Sequence, residues 1–125
     1  MRKIAVKSDW KTLEMPEQNE IFTFDREFND RQMQELRKGF IPAEMEDKWF
    51  CYMEGNTLFA HRSWTGFCIF IVEFSPDNHH KVIVNRNPEQ YGRKSIEKDI
   101  DKVLNGLVKG RVLLQKTQER LESFN

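Results

Sequence analysis

The sequence predicts an α+β fold: an antiparallel meander of about four to five strands, preceded by a short helix and followed by a long one. Three observations predict it. Aromatic and β-branched residues crowd between Trp49 and Val84 in short runs, and those runs are separated by turn-forming pairs. A capped helix pattern precedes this stretch. Apolar residues at helical spacing follow it.

The short helix is expected over Phe28 to Gly39. Asn29 can serve as N-cap, and Gln32 stands three residues on, at capping-box spacing. Phe28 and Met33 flank the cap as a hydrophobic staple. Met33, Leu36 and Phe40 mark one face, and Gly39 followed by Pro42 ends the segment.

The meander runs from Lys48 to Val84. Lys48 to Glu54 and Thr57 to Trp64 are joined by Gly55-Asn56, a two-residue turn of type II′ character. Thr65-Gly66 leads into Phe67 to Phe74. Ser75 to Asn78 then turns the chain into His80 to Val84. This register pairs Tyr52 with Phe59, Phe50 with His61 and Trp49 with Arg62. At the second turn it pairs Arg62 with Ile69 and His61 with Phe70. Alternation then places Phe50, Tyr52, Phe59, His61, Cys68, Phe70 and Val72 on one face. Trp49, Cys51, Met53, Leu58, Ala60, Arg62, Ile69 and Ile71 take the other. Both faces are apolar, so both require cover from helices or from a partner.

The long helix is expected from Ser95 to about Gln118, with Ser95 as cap. Ile96, Ile100, Val103, Leu104, Leu107 and Val108 share a face, and Gly106 and Gly110 weaken it. A break near Gly110 would leave a second segment through Leu114 and Leu121. Before Phe28, Lys3 to Lys7 alternates like a strand, Thr12 to Glu20 reads as a polar loop, and Ile21 to Phe24 is a further short strand.

Size and charge narrow the function. The chain has 125 residues, which suits one domain with a core of its own. Lys plus Arg and Asp plus Glu number 20 each, so no global field attracts nucleic acid or an anionic membrane. No apolar run approaches the ~20 residues of a membrane helix. The start, MRKIAVKSDW, lacks the apolar stretch of a signal peptide. The expected location is the cytoplasm, with Cys51 and Cys68 as reduced, buried thiols on opposite faces.

Chemistry-bearing residues concentrate in His61-Arg62-Ser63-Trp64-Thr65-Gly66, opposite Glu46, Asp47, Lys48 and Trp49. A charge on an apolar sheet face needs a partner, and Arg62 can stack on Trp49 or Trp64 and pair with Asp47 or Glu46. One reading is a ligand-binding rim of Asp47, Trp49, His61, Arg62, Ser63 and Trp64 for an anionic or planar ligand. The other is a structural knot that fixes the hairpin ends. His61 lies near Ser63 and Cys68, yet neither a nucleophile elbow nor a Gly-rich oxyanion motif adjoins them. No catalytic residue is assigned, although His61 with a carboxylate would be the acid–base pair of an enzymatic reading. His79-His80 follows Asp77, but neighbouring strand residues point to opposite faces and so cannot share a metal ion. No metal site and no cofactor is implied.

The pieces MEDKWF (Met45 to Phe50) and HRSWTGFCI (His61 to Ile69) lie in the segment Glu44 to Phe74. That segment resembles a family of small bacterial proteins without an assigned activity, and extensions of some ADP-ribosylglycohydrolase-type proteins. The acidic clusters of that hydrolase's metal site are not recognisable, so the resemblance implies a companion module in nucleotide or ADP-ribose biology. The expected function is therefore a non-catalytic binding module for a nucleotide-like or ADP-ribose-related ligand. The alternative is an interaction partner of antitoxin or immunity type, whose sheet or long helix covers another chain or a second copy.

Overall fold

The computed structural model describes residues 4–92 and 96–109. A 3₁₀ turn at Lys7–Asp9 precedes β1 (Asn19–Asp25) and α1 (Asp30–Lys38). The meander follows as β2 (Trp49–Glu54), β3 (Thr57–Arg62), β4 (Cys68–Glu73) and β5 (His79–Asn85), and α2 (Ile96–Val108) comes last. All pairings are antiparallel, in the order β1-β5-β4-β3-β2. β1 therefore extends the meander from its far edge. The connection through α1 carries the chain across one sheet face to the opposite edge at β2.

The local signals act as their chemistry requires. Asn29 Oδ1 accepts from the Gln32 amide at 2.8 Å, and Gln32 Oε1 accepts from the Asn29 amide at 2.9 Å. Two otherwise orphaned helix donors are thus satisfied reciprocally. Gly39 ends α1 with φ 64°, and a Cβ there would lie 2.2 Å from the Cys51 carbonyl oxygen. That close approach lets Phe40 exchange backbone hydrogen bonds with Cys51, so the chain after α1 protects the outer edge of β2. Gly55 turns the first hairpin with φ 60° and Asn78 the third with φ 65°.

The first hairpin keeps the expected register, from Trp49 opposite Arg62 to Glu54 opposite Thr57. The second does not. His61 pairs with Cys68 and Ala60 with Phe70, leaving Ile69 as an extra residue in a β-bulge. The expected pairs Arg62–Ile69 and His61–Phe70 are therefore incorrect, and beyond the bulge β4 presents the opposite face from the one expected. Asn85 satisfies the distorted backbone by donating from Nδ2 to the Cys68 carbonyl at 2.8 Å.

The result is a sheet with two unlike faces. Cys51, Leu58, Ala60, Phe70, Val72, Val82 and Val84 point toward the helices and are fully buried. They meet Leu36 of α1 and Ile96, Ile100, Val103, Leu104 and Leu107 of α2. Each such aliphatic or aromatic side chain contributes about 1.5–3 kcal/mol through burial, so this layer supplies most of the hydrophobic driving force. On the other face, Phe50 and Tyr52 form a smaller cluster with Ala5, flanked by Ile41 and Phe59. Lys3 to Lys7 forms no strand within the described residues 4–7; that stretch supplies Ala5 to this cluster, with the Ala5 amide donating to the Lys38 carbonyl. The Ser95 cap and the expected helix beyond Lys109 lie outside the described residues. No helix among the described residues is long and apolar enough to cross a membrane.

Candidate functional site

Three segments meet at one end of the β2–β3 hairpin: residues 7–13, the loop 41–48 and the turn 63–66. Each is held by backbone groups. The Leu13 amide donates to the Gly66 carbonyl at 2.8 Å, and the Ser63 amide to the Lys48 carbonyl at 2.9 Å. Gly66 has φ 82°, and a Cβ there would press on the Lys11 carbonyl at 3.2 Å. Glycine at this position thus lets the N-terminal segment lie against the turn.

Asp47 is buried at 4% exposure and organises the loop. Its Oδ2 accepts from the Ala43 and Glu44 amides at 2.8 and 3.1 Å. Its carbonyl accepts from the Ser63 hydroxyl at 2.5 Å. Asp47 Oδ2 and the Asp47 carbonyl are therefore both engaged in holding the loop, and the carboxylate acts as a turn cap.

Arg62 turns toward the helix-covered face of the sheet. Its guanidinium lies 4.5 Å above the Trp49 ring, and Trp49 in turn packs edge-on to Phe70 on the helix-covered face. This is the stacked arrangement the sequence allows, with Trp49 as the partner rather than Trp64.

His61 is buried at 2% exposure. Its ring stacks on Tyr52 at 5.7 Å and leans on Phe50. Nδ1 lies 2.9 Å from the Gly66 carbonyl, so that nitrogen carries the proton and donates. Nε2 meets no hydrogen-bond partner among the described residues. Burial lowers the pKa of His61, opposed by the Gly66 hydrogen bond and assisted by the Lys7 charge. The ring is a neutral core group. Cys68, its cross-strand neighbour, is pushed up to about 12 by burial, and Cys51 rises further for the same reason. Both thiols are free and buried, and neither is a ready nucleophile.

Beside these buried groups lies an open cleft of about 550 Å³, lined by Trp10, Lys11, Pro42, Ala43, Glu44, Met45, Ser63 and Trp64. Trp64 is 58% exposed. Its indole N–H donates to the Met45 carbonyl at 2.9 Å, and the Lys48 ammonium sits 4.5 Å above its ring. The Trp10 indole N–H donates to the Ser63 carbonyl at 2.7 Å. Both rings are thus fixed by their N–H groups and leave apolar surface at the cleft. Of the six residues the sequence singles out, only Ser63 and Trp64 line it. Asp47 supports it from within, His61 lies beneath it, and Arg62 and Trp49 form a separate pair. Trp10, Lys11, Pro42 and Met45 are not among the site residues the sequence singles out. The Leu13–Gly66 hydrogen bond brings in Trp10 and Lys11, and the Asp47-capped loop brings in Pro42 and Met45.

The paired histidines separate as strand alternation requires. His80 is buried, accepting from the Ser75 amide at Nδ1 and donating from Nε2 to the Arg26 carbonyl. His79 is exposed, 2.6 Å from Asp25, whose hydrogen bond and charge raise its pKa. Among the described residues no three His, Cys, Asp or Glu side chains gather as a metal site. No family model, curated protein or solved structure matches the chain.

Proposed function

We propose that this chain is a cytoplasmic, non-catalytic binding module whose ligand is planar and anionic, of the nucleotide or ADP-ribose class, and that the ligand binds in the cleft between Trp10 and Trp64. One observation carries the reading: two indoles whose N–H groups are already occupied by backbone carbonyls line one cleft, with Lys11 and Glu44 in its wall and Lys48 against Trp64. An indole whose donor is satisfied offers its π-surface, and stacking a base on an aromatic ring contributes about 1–3 kcal/mol. A lysine beside the stacked ring adds attraction for phosphate oxygens. The resemblance of Met45–Phe50 and His61–Ile69 to extensions of some ADP-ribosylglycohydrolase-type proteins supports the same ligand class. The neutral, enclosed His61 and the loop-capping Asp47 do not support acid–base chemistry.

Calorimetric titration with ADP-ribose, NAD and AMP tests this, with inorganic phosphate as the control. Wild type should bind the nucleotides. Trp64→Ala should weaken binding roughly tenfold to a hundredfold, the equivalent of one lost stacking contact. Arg62→Ala should bind as wild type does, because Arg62 lies on Trp49 and away from the cleft. No binding by wild type at millimolar nucleotide would refute the reading.

A second reading, a protein-interaction partner, is favoured by the part of the sheet that the helices leave open.

A further inference from the structure

The sheet face turned away from the helices has an apolar row across four strands. Register aligns Ile21 with Ile83, Ile83 with Ile71, and Ile71 with Phe59. Ile21 is 57% exposed, and the other three keep part of their surface open. The smaller cluster around Ala5, Phe50 and Tyr52 covers the β2 end of this face and packs against Phe59 of β3, which keeps part of its surface open. One step along the strands on the same face, Thr23, Lys81, Glu73 and Thr57 form a second row. Lys81 Nζ lies 3.3 Å from Glu73 Oε2, and both side chains are about half exposed, at 52% and 47%.

These two rows have approximate two-fold order about the boundary between β5 and β4. Moving outward from it, one side reads Lys81 then Thr23 and the other Glu73 then Thr57. The apolar row reads Ile83 then Ile21 and, opposite, Ile71 then Phe59. A two-fold axis parallel to the strands at this boundary lays Ile83 of one copy over Ile71 of the other, and Ile21 over Phe59. The same axis sets Lys81 of each copy against Glu73 of the other. An isologous contact needs this reciprocity, in which residue i meets j while j meets i.

We infer that the open sheet face is a homodimer interface, occupied by a second copy of this chain stacked face to face with its strands nearly aligned. Charge complementarity selects this occupant. The intramolecular Lys81–Glu73 pair becomes a four-charge ring of alternating sign, closing one side of an apolar strip. Twisted sheets pack aligned within roughly 30° across a shared core, as this axis requires. Four strands span only about 20 Å. The interface is therefore small, and the dimer is one that dissociates on dilution.

Sedimentation of the full chain from low micromolar to submillimolar concentration tests the inference. Wild type should shift from monomer to dimer. Lys81→Glu and Glu73→Lys should each remain monomeric, because each sets like charges against each other across the axis. An equimolar mixture of the two variants should dimerise again, since the two carboxylates of the first variant then face the two ammonium groups of the second. Intramolecular repulsion persists in that mixture, so recovery reports the intermolecular contact alone. Circular dichroism should show both variants folded, because the two side chains are half exposed. Three results would overturn the inference: a wild type that stays monomeric throughout, single variants that dimerise like wild type, or a mixture that stays monomeric. The measurement reads mass and not nucleotide binding, so it succeeds or fails independently of the ligand proposed for the cleft.

Discussion

At the residue scale, His61 shows how surroundings decide what a titratable group does. An imidazole beside Ser63 and Cys68 suggests hydrolytic chemistry in one dimension. In three dimensions it stacks on Tyr52, donates to Gly66 and leaves Nε2 in an apolar enclosure. Protonating Nε2 would place a cation there, which is why burial lowers its pKa below the ordinary 6.5. Below that value the unfolded chain takes up a proton that the folded chain refuses. Stability attributable to His61 is therefore intact above pH 6.5 and falls as the pH drops toward the folded pKa, by at most about 1.4 kcal/mol per pH unit. His79 acts in the opposite sense: its raised pKa favours the folded state as pH falls, but both it and Asp25 are exposed. Thermal melts from pH 8 to pH 5 should show a falling melting temperature in wild type and a flatter profile in His61→Gln. Parallel profiles would mean that His61 is not the group responsible.

At the scale of elements, the structure depends on a few points where backbone meets backbone. Gly39 is the sharpest. Its φ of 64° and ψ of −155° belong to a region that is essentially glycine-only, and its missing Cβ leaves room for the Cys51 carbonyl. Gly39→Ala should destabilise the fold by more than the ~1–3 kcal/mol of backbone strain alone, because the α1 exit must also separate from β2. Gly55→Ala is the comparison. Its φ is 60°, but a Cβ there meets nothing within 4 Å, so its cost should be no more than the ~1–2 kcal/mol of left-handed backbone. Urea denaturation of the two variants measures the difference, and equal midpoints would contradict the role given to Gly39. Local signals foretold most of these elements. Asn29 and Gln32 fixed the start of α1, Gly55-Asn56 the first hairpin, and the spacing of Ile96 to Val108 the buried face of α2. The bulge at Ile69 was not legible. Phe67 to Val72 is an unbroken apolar run, so no alternation marks the extra residue, and the Asn85 side chain that satisfies it comes from another strand.

Across the whole molecule, the sheet's two faces serve different ends. One is closed by α1 and α2. The other is closed at the β2 end by the segment around Ala5 and Trp10, and it is open over β1, β5 and β4. Sequence alone indicated that both faces need cover, because both are apolar. It could not indicate the cleft, since Trp10 and Trp64 are far apart in the chain and meet only when the Leu13 amide finds Gly66. For the same reason, Arg62 and Trp64, close in sequence, part company in space. Arg62 lies on the helix-covered face over Trp49, while Trp64 stands in the turn beyond the strand. The chain's three tryptophans therefore occupy two environments: Trp10 and Trp64 at the cleft, and Trp49 beneath Arg62 on the other side of the sheet. Each carries one indole N–H, and together they report directly on where a ligand lands. Titrating ¹⁵N-labelled full chain with ADP-ribose should move the indole N–H signals of Trp10 and Trp64 and leave that of Trp49 in place. Signals that all stay fixed at millimolar ligand, or movement of Trp49 alone, would contradict the account.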